Sequence, residues 1–164
     1  YMISQMGIRI DGLEDFLSEC ENKLLDVAPL EFLYPRELRS EPLNESLWTD
    51  KVHEIKSMNE KRVLSKLRNK ANIYAIFIQP TGGDWSPVYI GQRKALEIRQ
   101  RITSHLINKN EATGSKLAQV KESVAKGHKI GLRFLFLERD TMRAFVEEEL
   151  IARNKEKLEW NKHS

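Results

Sequence analysis

The sequence of 164 residues lacks the features that build disulfide-bonded, secreted or membrane-spanning proteins. Its one cysteine, Cys20, excludes an intrachain disulfide framework and is typical of a reducing compartment. It has no run of roughly 18 apolar residues that could cross a bilayer. It also does not open with the basic and then apolar segments of a secretory signal. We therefore expect a cytoplasmic protein without a membrane partner, whose core is large enough to fold without covalent staples.

Charge is unevenly distributed along the chain, although the net charge is only +3. Residues 1–50 contain 4 Lys/Arg and 11 Asp/Glu, whereas residues 51–70 contain 7 Lys/Arg and 2 Asp/Glu. Residues 71–164 contain 16 Lys/Arg and 11 Asp/Glu. An acidic leader followed by a basic body indicates a polyanionic partner for the body, and a solvated helix face is the alternative explanation.

Two helices are predicted in the first 70 residues. Apolar residues that recur at intervals of three and four predict a helix over 12–27, with Asp11 as a candidate cap. Residues 28–47 contain three prolines and predict an irregular connection. A second helix is predicted over 48–70, with apolar residues on one side and basic residues on the other. We interpret residues 1–70 as a helical N-terminal extension.

From residue 72 onwards the pattern changes to strands that alternate with helices. Two β-rich runs within 72–91, separated by Pro, Gly and Asp, predict a hairpin that contains Tyr74 and Tyr89. These tyrosines belong either to a core or to a site. The elements expected next are a helix over 95–108, a helix over 114–126, a strand over 130–138 and a helix from Asp140 or Thr141 to about Lys157. This order predicts an α/β (α+β) domain over 71–164, with a small three-stranded, mainly antiparallel sheet flanked by helices.

Two polar residues lie beside the predicted buried face of the helix over 95–108. Arg101 and His105 are four residues apart and therefore stack on one side of the helix. Each has a structural alternative, since an Arg can snorkel to the surface and a His can belong to a core. The residues expected on the buried face are Leu96, Ile98, Ile102 and Leu106.

The last predicted helix contains three consecutive acids, Glu147, Glu148 and Glu149. At about 100° per residue they point in three directions. Glu147 precedes the apolar pair Leu150-Ile151 by three and four residues, which places its carboxylate at the border of the buried face. Acids are also favoured early in a helix by the helix dipole, which is the structural alternative.

In their order along the chain, these motifs resemble the GIY-YIG nuclease family over about residues 71–161. The motifs are Asn72-Ile73-Tyr74, Tyr89-Ile90-Gly91, Arg101 with His105, a helical Glu before Leu150-Ile151, and Trp160-Asn161. The Arg-x-x-x-His spacing resembles the type II restriction endonucleases of that family. Asn72 stands where the family has Gly, a departure expected to affect only the turn before the strand.

The last helix also departs from the family pattern, because it lacks the usual Pro and its Glu lies farther from Asn161. Spacing from Asn161 selects Glu149, whereas the Leu150-Ile151 anchor selects Glu147. Helix phase favours Glu147, since phase determines where a side chain points.

The resemblance implies a Mg²⁺-dependent endonuclease that hydrolyses double-stranded DNA, with Mn²⁺ as a possible substitute. A restriction enzyme cuts both strands, so one site per chain implies a homodimer. The alternatives are a GIY-YIG nuclease of a mobile genetic element or repair system, and a non-cleaving nucleic-acid-binding protein on the same scaffold.

The resemblance also implies roles for individual residues. Tyr74 would be the general base, with His105 or Tyr89 assisting the passage of its proton. Arg101 would contact the phosphoryl oxygens, and Glu147 would hold the divalent ion. The remaining candidates are Asn161, near the phosphate or bracing Tyr74, and Arg93, a further phosphate contact.

The basic side of the helix over 48–70 is a candidate DNA-binding surface. We expect Lys61, Arg62 and Lys66 to lie along the phosphates there. Alternatively, this helix makes the dimer contact through its apolar side, which contains Val52, Ile55, Val63 and Leu67.

Overall fold

The computed structural model describes residues 5–109 and 114–162. The helices there are α1 (Leu13–Leu25), α2 (Glu45–Glu60), α3 (Ile98–Leu106), α4 (Leu117–Ala125) and α5 (Arg143–Arg153). The strands are β1 (Leu30–Phe32), β2 (Ile73–Gln79), β3 (Ser86–Gln92) and β4 (Lys129–Leu135). Short 3₁₀ turns occupy Arg36–Leu38, Leu64–Lys66, Asp140–Met142 and Glu159–Asn161.

The four strands form one antiparallel sheet in the order β1-β4-β2-β3. The α+β class is confirmed, but the predicted number of three strands is wrong. The additional strand is β1, in which Leu30 pairs with Leu132 and Phe32 with Ile130. A three-residue strand is too short to show alternation, so its segment gave only the signal of an irregular connection.

Helices cover both faces of the sheet, and β2 runs through the centre of the core. Tyr74 and Ile76 face a cluster that includes residues of α2, α3 and α4. Ile73, Ala75 and Phe77 face a second cluster with residues of α1 and α5. Successive residues of β2 point to opposite faces of the sheet, and helices cover both faces. Both sets of side chains are therefore buried, which explains why the strand is a continuous apolar run in the sequence.

The N-terminal segment belongs to the same sheet as the rest of the chain. Its strand β1 pairs with β4, and α1 packs with α5 in the second cluster. The predicted boundary at residue 70 therefore does not divide the sheet. It stays a prediction that the segments before and after it have different functions. None of the helices in the described ranges has the length and apolar character needed to cross a bilayer.

The predicted helix over 48–70 is too long, because α2 ends at Glu60. Near this end the buried Asn59 donates to the carbonyls of Leu33 and Ile55 and accepts from the amide of Leu33. The following residues form a turn and the 3₁₀ turn Leu64–Lys66. Lys61, Arg62 and Lys66 consequently do not share one side of a helix.

Three of the four residues named for the alternative dimer contact are not available for it, and the fourth, Val52, is half-buried. Ile55, Val63 and Leu67 are 0%, 2% and 4% exposed, since they pack into the core of their own chain. Leu96 is a further correction, because it lies before α3 and is 58% exposed. Ile98, Ile102 and Leu106 are buried as expected.

Candidate active site

The hairpin of β2 and β3 brings Tyr74 and Tyr89 together. Tyr74 is opposite Gly91 and Ile76 is opposite Tyr89, so the two tyrosines are diagonal neighbours on one face. Their ring centroids are 6.2 Å apart. A Cβ atom at Gly91 would lie 2.3 Å from the Tyr74 hydroxyl. The glycine of the second motif therefore provides the space in which the Tyr74 phenol sits.

His105 on α3 hydrogen-bonds to Tyr74, with Nε2 2.7 Å from the phenol oxygen. Its other nitrogen, Nδ1, accepts a hydrogen bond of 3.0 Å from the backbone N–H of Lys116. Because an amide N–H can only donate, Nδ1 carries no proton, and the neutral ring has its proton on Nε2. His105 therefore donates to Tyr74, an arrangement that stabilises a phenolate and does not accept its proton.

The electrostatic surroundings keep His105 neutral. Burial lowers the pKa of His105 to about 3, and the charges of Arg101, Lys116 and Arg93 act in the same direction. The ring is 0% exposed. His105 therefore keeps the same donor role throughout the physiological pH range.

Tyr74 is a neutral phenol in the free protein. Burial raises the pKa of Tyr74 far above its ordinary value, and the neighbouring Tyr89 raises it further. The charge of Arg101 and its interaction with the phenol as a hydrogen-bond donor lower this pKa, and the charge of Glu147 raises it. Burial likewise raises the pKa of Tyr89, which Arg101 and Glu147 also influence in opposite directions. One cation and one carboxylate therefore act on both tyrosines.

The guanidinium of Arg101 is only partly satisfied by the protein. Its Nη2 donates a 2.8 Å hydrogen bond to the carbonyl of Gly114. Its Nη1 is buried and has no hydrogen-bond partner in the described part of the chain. A buried donor without a partner is costly, and a phosphoryl oxygen is the acceptor that a guanidinium fits best. Arg101 is therefore poised to bind an anion.

Glu147 on α5 is the carboxylate of this site. Burial raises the pKa of Glu147 to about 7, and the adjacent Glu148 contributes in the same direction. Within residues 5–109 and 114–162, Glu147 forms no salt bridge. Of the three consecutive acids, it is Glu147 whose charge acts on Tyr74 and Tyr89. The choice of Glu147 over Glu149 for the metal stays a prediction.

A divalent cation fits Glu147. Across the described ranges, no three His, Cys, Asp or Glu side chains gather as a ready-made metal site. Mg²⁺ does not require such a group, because it keeps several waters and often binds through one carboxylate and substrate phosphates. The half-buried and uncompensated carboxylate of Glu147 is the observation that favours a cation there.

Asn161 braces the strand that carries Tyr89. Its side-chain oxygen accepts from the amide of Ile90 at 2.9 Å, and its side-chain nitrogen donates to the carbonyl of Ile90 at 3.0 Å. Ile90 lies between Tyr89 and Gly91 on β3, an edge strand. The amide of Asn161 thus takes the place of a neighbouring strand and holds the second motif in position.

Asn72 does more than affect the turn before β2, which was the only effect expected from the sequence. Its buried side chain accepts from the amide of Leu137 at 2.8 Å and donates to the carbonyl of Leu137 at 2.9 Å. It also donates to Asp140 at 3.3 Å. These bonds tie the start of β2 to the connection into α5, the helix that carries Glu147.

The four basic residues proposed for DNA binding lie in different places. The charge of Arg93 acts on His105, so Arg93 lies near the site. Lys61 and Lys66 are exposed. Arg62 donates to the carbonyl of Glu31 on β1, the edge strand opposite β3.

Sequence reasoning missed Lys116. Its ammonium lies 5.4 Å from the ring centroid of Tyr89, its backbone amide fixes the tautomer of His105, and it is 8% exposed. Burial lowers the pKa of Lys116, and Arg101 lowers it further. Lys116 lies at the start of the helix predicted over 114–126 and carried no signal of its own there, and only the folded chain brings it to the tyrosines.

This chain matches no protein-family model, no curated protein and no solved structure.

Proposed function

We propose that this protein is a Mg²⁺-dependent endonuclease that hydrolyses double-stranded DNA, of the GIY-YIG type and most similar to type II restriction enzymes. The observation that carries the proposal is the bond from His105, locked as a donor, to Tyr74. Beside this pair, Arg101 has a buried donor without a partner and Glu147 an uncompensated carboxylate. Hydrolysis of a phosphodiester needs a base, a cation facing the phosphoryl group and a metal on the leaving side.

In this proposal Tyr74 releases its phenol proton to solvent water once phosphate and cation are bound, and the phenolate then takes the proton of the attacking water. His105 stabilises the phenolate through Nε2–H, and Arg101 donates to the phosphoryl oxygens. A cation held by Glu147 would stabilise the charge that develops on the leaving oxygen. The negative charge of Glu147 helps to keep the pKa of Tyr74 high. Neutralisation of that charge therefore favours the phenolate in the complex over the free protein.

The proposal includes a cytoplasmic homodimer, since two strands are cut and each chain has one site. A dimer contact cannot use Ile55, Val63 and Leu67, because they are buried in their own chain.

Plasmid DNA incubated with the protein tests the proposal. With Mg²⁺ or Mn²⁺ we expect cleavage products, because the metal completes the site at Glu147, and with EDTA we expect intact plasmid. Gel electrophoresis of plasmids of diverse sequence measures the outcome. Intact plasmid with both metals across all sequences would contradict the nuclease. Retained DNA binding in that case would favour the non-cleaving alternative.

Cleavage at limiting Mg²⁺ should depend steeply on pH. Glu147 is mostly protonated below its pKa of about 7, and a neutral carboxyl group holds a cation poorly. We expect the rate to rise most steeply up to about pH 7, where deprotonation of Glu147 adds to that of Tyr74, and less steeply above it. Saturating Mg²⁺ should shift the midpoint to lower pH, because metal and proton compete for the carboxylate. A flat profile between pH 5.5 and 8 at limiting Mg²⁺ would refute this role of Glu147.

A further inference from the structure

Two connecting segments continue the pairing of β2 and β3 beyond the end of the sheet. The ladder reaches the pair of Ile73 and Gln92. The amide of Arg93 then donates to the carbonyl of Asn72 at 3.1 Å. The amide of Asn69 donates to the carbonyl of Ala95 at 3.0 Å. Residues 68–72 and 92–95 are thereby held side by side.

This extension carries four basic residues, Arg68, Lys70, Arg93 and Lys94, which we call the cationic ribbon. Arg68 and Lys70 flank Asn69, whose φ of 63° lies in the left-handed region that Asn tolerates better than most residues. Arg68, Lys70 and Lys94 are exposed, and Arg93 is half-buried. The Asn69–Ala95 hydrogen bond therefore brings basic residues from two distant parts of the sequence together.

The protein only partly offsets the charge of the three exposed ribbon residues. In the part of the chain that the structure describes, Arg68, Lys70 and Lys94 form no salt bridge. Two acids outside these segments have other hydrogen-bond partners, although the charge of Lys94 also acts on Asp140. Asp140 accepts from Arg143 and Asn72, and Glu60 accepts two hydrogen bonds from Arg99. Residues 61–70 contain five basic residues and no acid. Like charges held together in this way are relieved by a polyanion.

The ribbon adjoins the candidate active site. Asn72 is two residues before Tyr74, and Arg93 is two residues after Gly91, the residue against the Tyr74 phenol. A strand of phosphates that follows the ribbon therefore runs towards Tyr74 and Arg101.

We propose that the cationic ribbon binds the phosphate backbone of duplex DNA beside the bond to be cut. This inference rests on the proposed function, and it identifies a surface different from Lys61, Arg62 and Lys66. Phosphate contacts of this kind give affinity without sequence readout. They also position the scissile phosphate at the site.

The test compares two double variants that remove the same charge from exposed positions without salt bridges. Lys70→Gln/Lys94→Gln alters the ribbon. Lys126→Gln/Lys129→Gln is the matched control, because Lys129 pairs with Gln79 at the opposite end of β2, about 17 Å along the strand from Tyr74. Affinity for a mixed-sequence DNA duplex is measured by fluorescence anisotropy in EDTA at several salt concentrations.

We expect the ribbon variant to lower the slope of log affinity against log salt by about 1.8, since each lost phosphate contact contributes about 0.9. Its affinity at 0.1 M salt should fall about tenfold or more, whereas the control keeps the wild-type slope. Equal slopes for the two variants, or no DNA binding by the wild type, would overturn the ribbon. Binding of only a duplex RNA of the same length would overturn its assignment to DNA.

Binding in EDTA is independent of cleavage, so the two proposals fail separately. Plasmid that stays intact in Mg²⁺ while the ribbon variant shows the reduced slope refutes the nuclease and retains the ribbon. Cleavage in Mg²⁺ together with equal salt slopes for the ribbon variant and the control variant retains the nuclease and refutes the ribbon.

Discussion

Tyr74→Phe should reduce plasmid cleavage about 10³-fold and leave DNA affinity within about twofold of the wild type. The variant removes the phenol oxygen to which His105 donates. It keeps the aromatic ring, which packs from β2 against α3. General bases contribute about 10² to 10⁴ in rate, whereas affinity comes mainly from neutralised phosphates. Single-turnover cleavage in saturating Mg²⁺ and anisotropy in EDTA measure the two quantities.

Tyr34→Phe is the matched control for Tyr74→Phe. Tyr34 is also buried, at 4% exposure, and its hydroxyl donates a 2.8 Å hydrogen bond to the carbonyl of Leu106. Both substitutions delete one buried hydroxyl and leave one partner unsatisfied, at a cost of about 1–3 kcal/mol in stability. Only Tyr74→Phe should lose cleavage. Equal activity of the two variants would remove Tyr74 from the chemistry.

The parts of the fold that sequence predicted are those with a strong local pattern. The hairpin of β2 and β3 has two β-rich runs around a turn, and α3 has a clear apolar stripe at Ile98, Ile102 and Leu106. The structure keeps both, and with them it brings Tyr74, Tyr89 and His105 together. The position of a residue along a strand or helix determines the direction of its side chain. Once the hairpin and α3 are predicted correctly, only their packing remains to be assumed for these three side chains to meet.

The parts that sequence could not predict depend on tertiary contacts. Strand β1 forms only because β4 offers an edge for Leu30 and Phe32. Val63 and Leu67 continue the apolar spacing of α2, yet they enter the core from a turn, because Asn59 binds the segment after β1. Periodicity predicts which residues are buried, and it does not show where a helix ends inside a buried run.

The site shows the same division between local pattern and tertiary contact. The order of the motifs gave the polar residues, but their hydrogen bonds required the folded chain. The tautomer of His105 depends on the amide of Lys116, which lies eleven residues farther along. Asn161 contacts Ile90 across 71 residues. Neither bond has a signal in residue spacing, because both partners lie on different elements.

Glu147→Gln should abolish Mg²⁺-dependent cleavage, by about 10³-fold or more, because a metal contributes several kcal/mol of charge stabilisation. The variant keeps the shape of the side chain and removes the charge that would hold the cation. Glu149→Gln is the matched control on the same helix, and it should cut at nearly the wild-type rate. Loss of cleavage in Glu149→Gln, with normal cleavage in Glu147→Gln, would assign the metal to Glu149.

Thermal unfolding gives a readout for Glu147 that does not require activity. Its folded-state pKa of about 7 lies above the ordinary value of 4.5, so the folded protein favours the protonated form. The stability contributed by this group is fully present below about pH 4.5 and is lost as pH rises through about 7. At pH 8 the wild type therefore carries a destabilising charge that Glu147→Gln removes, whereas at pH 5 the two proteins should melt alike. The side chain is partly exposed, and solvent screening limits the gain to about 1 kcal/mol, or about 2–4 °C in Tm.

Mg²⁺ at pH 8 should reverse the order of these two proteins. A cation that binds the folded wild type raises its Tm in proportion to the logarithm of its concentration, whereas Glu147→Gln should not respond. Glu149→Gln should follow the wild type in both respects. Differential scanning calorimetry at pH 5 and pH 8, with Mg²⁺ and with EDTA, measures all three proteins. An equal Mg²⁺ response in Glu147→Gln and the wild type would show that the cation binds elsewhere, even if the same variant no longer cuts DNA.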